Sequence, residues 1–212
     1  MQEFLVHAAT VFMGFFAIMN PIANTPIFLG LTDGYDRQTK KAVALRAVAL
    51  AFLLILIFSL AGKLIFHLFG ISLAAFRLTG GILVFLIGYH MLQGNQSSMH
   101  SPGDEENGGS KKDPLSIAVS PLALPILAGP GTIATAMNFS AQWGNLRVAI
   151  TIAAFAVLCI ITYLFFVSGQ KLVEYIGEGA IKVITRMMGL ILAVIGMQMM
   201  IEGIYGAIHM FK

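Results

Sequence analysis

The sequence predicts an all-α integral membrane protein of six transmembrane helices, arranged as two inverted three-helix repeats with helices 1 and 4 broken or kinked. Three observations predict it. The 212 residues are 58% hydrophobic and 11% charged, against about 25% charged in a soluble domain, too little polar surface to coat a globule. Six apolar runs each reach the roughly 20 residues needed to cross a bilayer. Two of those runs, in opposite halves of the chain, carry a proline-rich polar interruption, and Pro21 and Pro130 lie 109 residues apart.

The first run, Phe4–Leu31, holds 28 residues. A straight helix of that length would extend about 42 Å, beyond a hydrocarbon core of about 30 Å. The surplus fits a helix that breaks at Asn20-Pro21 and resumes after Pro26; a tilted, kinked helix is the plainer alternative. Thr32 to Lys41 form a polar turn. The second span is Ala42–Phe69, with Arg46 near its start and Lys63 and His67 near its end, where long cations snorkel to the headgroups. Gly70-Ile71-Ser72 makes a short turn, and the third span runs from about Leu73 to Gln93.

Residues 94–114 form a polar, Gly/Ser-rich segment with almost nothing to bury, read as a flexible cytoplasmic linker. It divides a first repeat, 1–93, from a second, 115–212. The second half restarts the pattern with Leu115–Gln142, again 28 residues, followed by a turn at Trp143-Gly144-Asn145. Leu146–Ser168 is the fifth span. Gly169–Lys182 is a charged connection whose Lys171–Ile176 portion suits an interfacial helical turn. The sixth span is about Ile184–Ile204.

Register supports a repeat. Gly62 and Gly169 are 107 apart, as are Gly70 and Gly177; Gly81 and Gly189, Gly88 and Gly196, and Met91 and Met199 are each 108 apart. Three spans per half is an odd number, so the second half enters the membrane from the opposite side. Inverted repeats of this kind place a solute site at their interface near mid-membrane. Nine basic residues fall on one side and four on the other; the richer side is expected to be cytoplasmic, which puts both termini in the periplasm. The net charge of +3 is read as this flanking pattern rather than as a nucleic-acid surface.

A broken helix frees carbonyls at one end and amides at the other. The amide end suits a carboxylate and the carbonyl end an ammonium group or sodium ion. Asn20, Pro21, Asn24 and Thr25 in the first break, with Gly129, Pro130, Gly131 and Thr132 in the second, are therefore the candidate substrate-binding residues. Such a site holds a small zwitterion without a charged side chain, and its glycines leave room for a small one. The competing explanation is that Pro and Gly merely kink two helices for packing.

No Asp or Glu lies at the middle of a span, which argues against a mid-membrane carboxylate relay. His90 and Gln198, at offset 108, could both face the bundle interior; with Arg77 and Arg186 they are candidate gating residues, although a structural histidine and topological anchors are the default. Glu202 is placed at the interface. The Met187, Met188, Met197, Met199 and Met200 cluster is read as packing. An intramembrane protease would need two membrane aspartates, an HExxH motif or a Ser/His pair; only Ser120 with His90 offers a dyad, so no enzyme is expected. Cys159, the single cysteine, excludes a CxxC redox pair. No metal and no cofactor are expected; sodium or a proton could serve as coupling ion.

The segments Asn20-Pro21-Ile22-Ala23-Asn24-Thr25-Pro26-Ile27-Phe28 and Leu127-Ala128-Gly129-Pro130-Gly131-Thr132-Ile133 resemble the MarC family. These are six-span inner-membrane proteins of the UPF0056 type, grouped with LysE/RhtB-like exporters. The resemblance covers essentially the whole chain. The family's first motif usually reads NP(I/L)G(N/T)xP, and this chain has Ala23 where Gly is common. The resemblance implies a bacterial inner-membrane carrier of small neutral amino acids such as glycine or alanine, working by alternating access, with export as its direction. Its partners would then be the amino acid and membrane lipid, and a homo-oligomer is compatible with it. The alternatives are a regulatory or assembly protein that transports nothing, or a carrier or channel for another small polar solute.

Overall fold

A computed structural model describes residues 2–94, 114–141 and 145–210. The described residues are helical throughout, joined by short turns. In chain order the elements are α1 (Gln2–Met19), α2 (Pro21–Leu31), α3 (Arg37–Phe69), α4 (Leu73–Gln93), α5 (Pro114–Ile117) continuing into a π-helix (Ala118–Leu127), α6 (Pro130–Ala141), α7 (Asn145–Val167), α8 (Gly169–Ile176) and α9 (Glu178–Met210). The core of the expected 94–114 linker, residues 95–113, lies outside the described residues, as do Trp143, Gly144 and Lys212.

Among the described residues, five stretches are long and apolar enough to cross a membrane: Leu5–Leu31, Arg37–Gly62, Leu73–Gln93, Leu146–Val167 and Gly179–His209. The sixth apolar run is present but divided, its helical pieces ending at Leu127 and restarting at Pro130. Large apolar side chains stay exposed along the outer faces, as Leu53, Ile57, Leu60 and Leu64 do on α3 and Leu190, Val194, Met197, Ile201 and Ile204 on α9. Their three- and four-residue spacing makes one continuous lipid-facing stripe per helix.

Helix ends follow local chemistry. Asp36 caps α3 by accepting from Gln38 N at 2.9 Å and Thr39 N at 3.3 Å. The Thr39 hydroxyl, first, and these backbone bonds hold the Asp36 carboxyl below the usual carboxylate range. Ser72 caps α4 through Ala75 N at 3.1 Å. The closing residues Gly70 (φ 62°) and Gly94 (φ 82°) sit in the left-handed region that ends helices at glycine.

Two boundaries differ from expectation. The first helix resumes at Pro21, not after Pro26. Proline is pre-organised for the first position of a helix and has no N–H to lose there, so one left-handed residue absorbs the whole change of direction. The connection read as 169–182 is two helices meeting at Gly177, with Glu178 and Lys182 already in α9. Helices α3 and α9 are each 33 residues long, about 50 Å, so they tilt or extend past the hydrocarbon.

The closest packing is between α4 and α9, which run antiparallel. A Cβ on Gly81 would lie 2.7 Å from Gly196 O and 2.9 Å from Met200 N, and one on Gly88 would lie 2.5 Å from Gly189 O. The reverse contacts match. A Cβ on Gly189 would lie 2.8 Å from Gly88 O and 3.0 Å from Leu92 N, and one on Gly196 would lie 2.6 Å from Gly81 O. Backbone meets backbone here, so any side chain would wedge the helices apart. In lipid, where apolar burial does not drive association, small residues at such a seam supply the packing energy.

Gly88→Leu and Gly196→Leu should each destabilise the protein by about 2–3 kcal/mol through overpacking. Gly206, whose Cβ would meet Ala74 Cβ at an ordinary 3.5 Å, should accept Ala with a gain of up to about 1 kcal/mol from helix propensity. Unfolding in detergent micelles separates the two outcomes.

Candidate functional site

Asn20 is the one described non-glycine residue with positive φ (φ 36°, ψ 69°). The proline after it disfavours the right-handed helical region, and asparagine tolerates the left-handed one better than most residues. Its side-chain Oδ1 accepts from Ala23 N at 3.3 Å, capping α2. Its own N–H donates to Phe16 O at 2.9 Å, and its carbonyl accepts from Asn24 N at 3.0 Å. The chain turns here without abandoning its backbone hydrogen bonds.

Pro21 and Pro26 bring no N–H to the carbonyls one turn behind them. Those carbonyls are Ala17 O and Ile22 O; nearby side chains bond to other carbonyls of the turn. Asn24 Nδ2 donates to Met19 O at 2.6 Å, and Thr25 Oγ1 donates to Pro21 O at 2.7 Å. Asn20, Asn24 and Thr25 are all buried. The donors of Asn24 and Thr25 are thus used within the break. The Asn20 amide, Nδ2, is buried without a hydrogen-bond partner among the described residues.

The second break has a different construction. A π-helix carries Pro121 and Pro125, and it ends with Ala128 N donating to Ala123 O at 3.0 Å, five residues back. The wider turn suits prolines, whose rings clash with the carbonyl four residues behind in an α-helix. Gly129 separates it from α6, which opens at Pro130 with Ile133 N donating to Gly129 O at 3.0 Å. The positive end of the α6 dipole therefore lies at this break.

Gly131 brings the two breaks together. A Cβ there would fall 2.6 Å from Ile87 Cδ1 of α4 and 2.9 Å from Ile18 Cδ1, two residues before Asn20. Thr132 is buried beside it. One turn along α6 and on the same side as Gly131 is Thr135, whose hydroxyl is buried without a partner among the described residues. An unpaired buried polar group costs roughly 1–3 kcal/mol, so these atoms mark places where a bound solute or water would be stabilised.

Of the candidate gating residues, the structure gathers two. Arg77 Nε donates to Asn138 Oδ1 of α6 at 3.0 Å and lies 3.6 Å from Glu202 Oε2 of α9. Gln198 Nε2 donates to Glu202 Oε1 at 3.3 Å. Glu202, read from sequence as interfacial, is the centre of this group. His90 and Gln198 do not meet in the bundle interior: Gln198 is exposed, and His90 Nδ1 lies 2.7 Å from Leu86 O of its own helix. Arg186 instead lines a separate hollow of about 290 Å³ with Gln93, Gly94 and Lys182. The side chain of Ser120 lies outside the described residues. Thr135 and Asn138 were not singled out by sequence, although both sit in an otherwise apolar run and share the Gly131 side of α6.

Because Asn20 both caps α2 and holds a left-handed conformation, Asn20→Ala should cost about 2 kcal/mol of stability, and Asn20→Gly distinctly less because glycine keeps the conformation. Thermal unfolding in detergent should rank wild type above Asn20→Gly and Asn20→Ala lowest.

The profile of the MarC family of integral membrane proteins matches residues 5–208. The chain is 42% identical to the UPF0056 membrane protein YvbG of Bacillus subtilis (strain 168), covering 97% of this chain and 96% of that one. It is 40% identical to a UPF0056 membrane protein of Pyrococcus abyssi (strain GE5 / Orsay), covering 98% of each. A third relative, from Methanocaldococcus jannaschii, is 37% identical over 93% of this chain and 95% of its own. No solved structure matches.

Proposed function

The chain belongs to the MarC family of multi-pass integral membrane proteins, and from that premise we propose that it is a secondary transporter of small neutral amino acids, glycine- or alanine-like, exporting them by alternating access. The observation that carries this reading is the meeting of the two helix breaks at Gly131 and Ile18, two residues from Asn20 and one turn from Thr135, whose side-chain amide and hydroxyl have no partner among the described residues. The α6 dipole favours the solute's carboxylate, and the carbonyls at the end of α1 favour its ammonium. The tight fit around Gly131 favours a side chain no larger than a methyl group.

The glycine seam supports an inverted-repeat architecture of six spans. Adding 108 to the first-half member and subtracting it from the second-half member turns Gly81–Gly196 into Gly189–Gly88, and Gly81–Met200 into Gly189–Leu92. Pairs that exchange in this way between antiparallel helices fit a twofold axis perpendicular to both. Such an axis lies in the membrane plane and inverts one half relative to the other. On this reading α4 and α9 form the central pair, and the broken helices meet beside it. The protein would lie in the bacterial inner membrane, with both termini in the periplasm and sodium or protons coupling the transport.

Labelled glycine or alanine should enter proteoliposomes containing the protein, with saturation and counterflow, under an imposed sodium or proton gradient. Thr135→Val keeps the shape and removes the hydroxyl, and should raise KM by about tenfold. Gly131→Leu should abolish flux. Absence of flux for every small polar solute would overturn the proposal and favour a regulatory or assembly role.

A further inference from the structure

A hollow of about 470 Å³ opens where the start of α3 meets the α7–α8 corner. Four cations line it: Arg37, Lys40 and Lys41 from α3 and Lys171 from α8. No carboxylate forms an ion pair with any of the four among the described residues. Asp36 is adjacent, but its oxygens are committed to Gln38 N and to the Thr39 amide and hydroxyl. Ser168 and Gln170 add neutral polar groups to the rim.

A second hollow, of about 300 Å³, follows the same two helices deeper into the apolar zone. Its walls carry almost no polar surface: Leu45, Ala49 and Phe52 from α3, and Ala156, Cys159 and Tyr163 from α7. The two hollows are consecutive. Lys41 of the first stands one helical turn from Leu45 of the second, and Val167 of the first stands one turn from Tyr163 of the second. From Lys41 to Phe52 the seam runs about 16 Å along α3. Ala49 and Ala156 are small, and their size is what keeps the groove open.

We propose that this seam is a specific site for an anionic phospholipid, with the phosphate headgroup among Arg37, Lys40, Lys41 and Lys171 and one acyl chain in the α3–α7 groove. Unpaired cations attract any phosphate, but the apolar groove continuing from them selects a phosphate that carries a hydrocarbon chain. Basic hollows between membrane helices bind lipid headgroups in this manner. The site is independent of the transport reading, because neither hollow includes the paired breaks.

The test uses the full chain purified in detergent, with phosphatidylglycerol, phosphatidylcholine or inorganic phosphate added, and bound lipid counted by native mass spectrometry. Phosphatidylglycerol should be retained, phosphatidylcholine should not, and inorganic phosphate should not displace the lipid. Lys40→Gln with Lys171→Gln should weaken retention by about thirtyfold, as expected for two interfacial cations. Ala156→Leu, which fills the groove and leaves every charge in place, should weaken it as well, whereas Lys182→Gln, a cation away from the seam, should not. Equal retention of both lipids, equal loss with Lys182→Gln, displacement by inorganic phosphate, or no effect of Ala156→Leu in a protein with an unchanged melting temperature would each overturn the proposal.

Discussion

A peptide group inside a bilayer has no water to fall back on, so every interruption of a membrane helix must be satisfied by the protein itself. This chain interrupts its helices at two proline-bearing points. At the first, a single left-handed residue turns the helix, and the side chains of Asn20, Asn24 and Thr25 bond to backbone groups of the turn itself. At the second, a π-helix accommodates its prolines before Gly129 releases the chain into α6. Both solutions put polar groups where no lipid can satisfy them, and the remaining helices are arranged to wall them off.

The wall depends on the α4–α9 seam. Backbone contact at Gly81, Gly88, Gly189 and Gly196 lets these two helices form one thick element. Ile87 of α4 then reaches Gly131, and Arg77 of α4 joins Asn138 of α6 to Glu202 of α9. The α4–α9 pair is therefore attached to the second broken helix at both a tight apolar contact and a polar one. For the proposed transport, the continuous glycine seam would be the element that holds its shape and the two interrupted helices the elements that move against it.

The first break was legible because its residues announce it: Asn-Pro followed by Asn-Thr-Pro cannot continue as a straight, regular helix. The sequence did not reveal that Pro26 would stay inside α2, because that depends on one residue, Asn20, absorbing the entire turn. The π-helix was hidden for a related reason. Pro121 and Pro125 signal trouble for an α-helix but do not choose between a break and a wider turn. The offset of 108 was visible in Gly81, Gly88, Gly189 and Gly196, though their pairing was not, since sequence spacing does not say which faces meet. Polar partnerships were the least legible. The pairing of Glu202 with Arg77 and Gln198 could not be read from spacing, and Thr135 becomes notable only because its hydroxyl has no partner among the described residues.

The proposed transport stands on the two breaks forming one polar site. Thr135→Cys, made in a Cys159→Ser background, puts a single thiol of nearly the same size at that proposed site. In reconstituted membranes this thiol should react slowly with a small, membrane-impermeant thiol reagent applied from either face, and glycine or alanine should protect it. A thiol that stays inert from both faces, or that reacts at the same rate whether or not these solutes are present, would contradict the account.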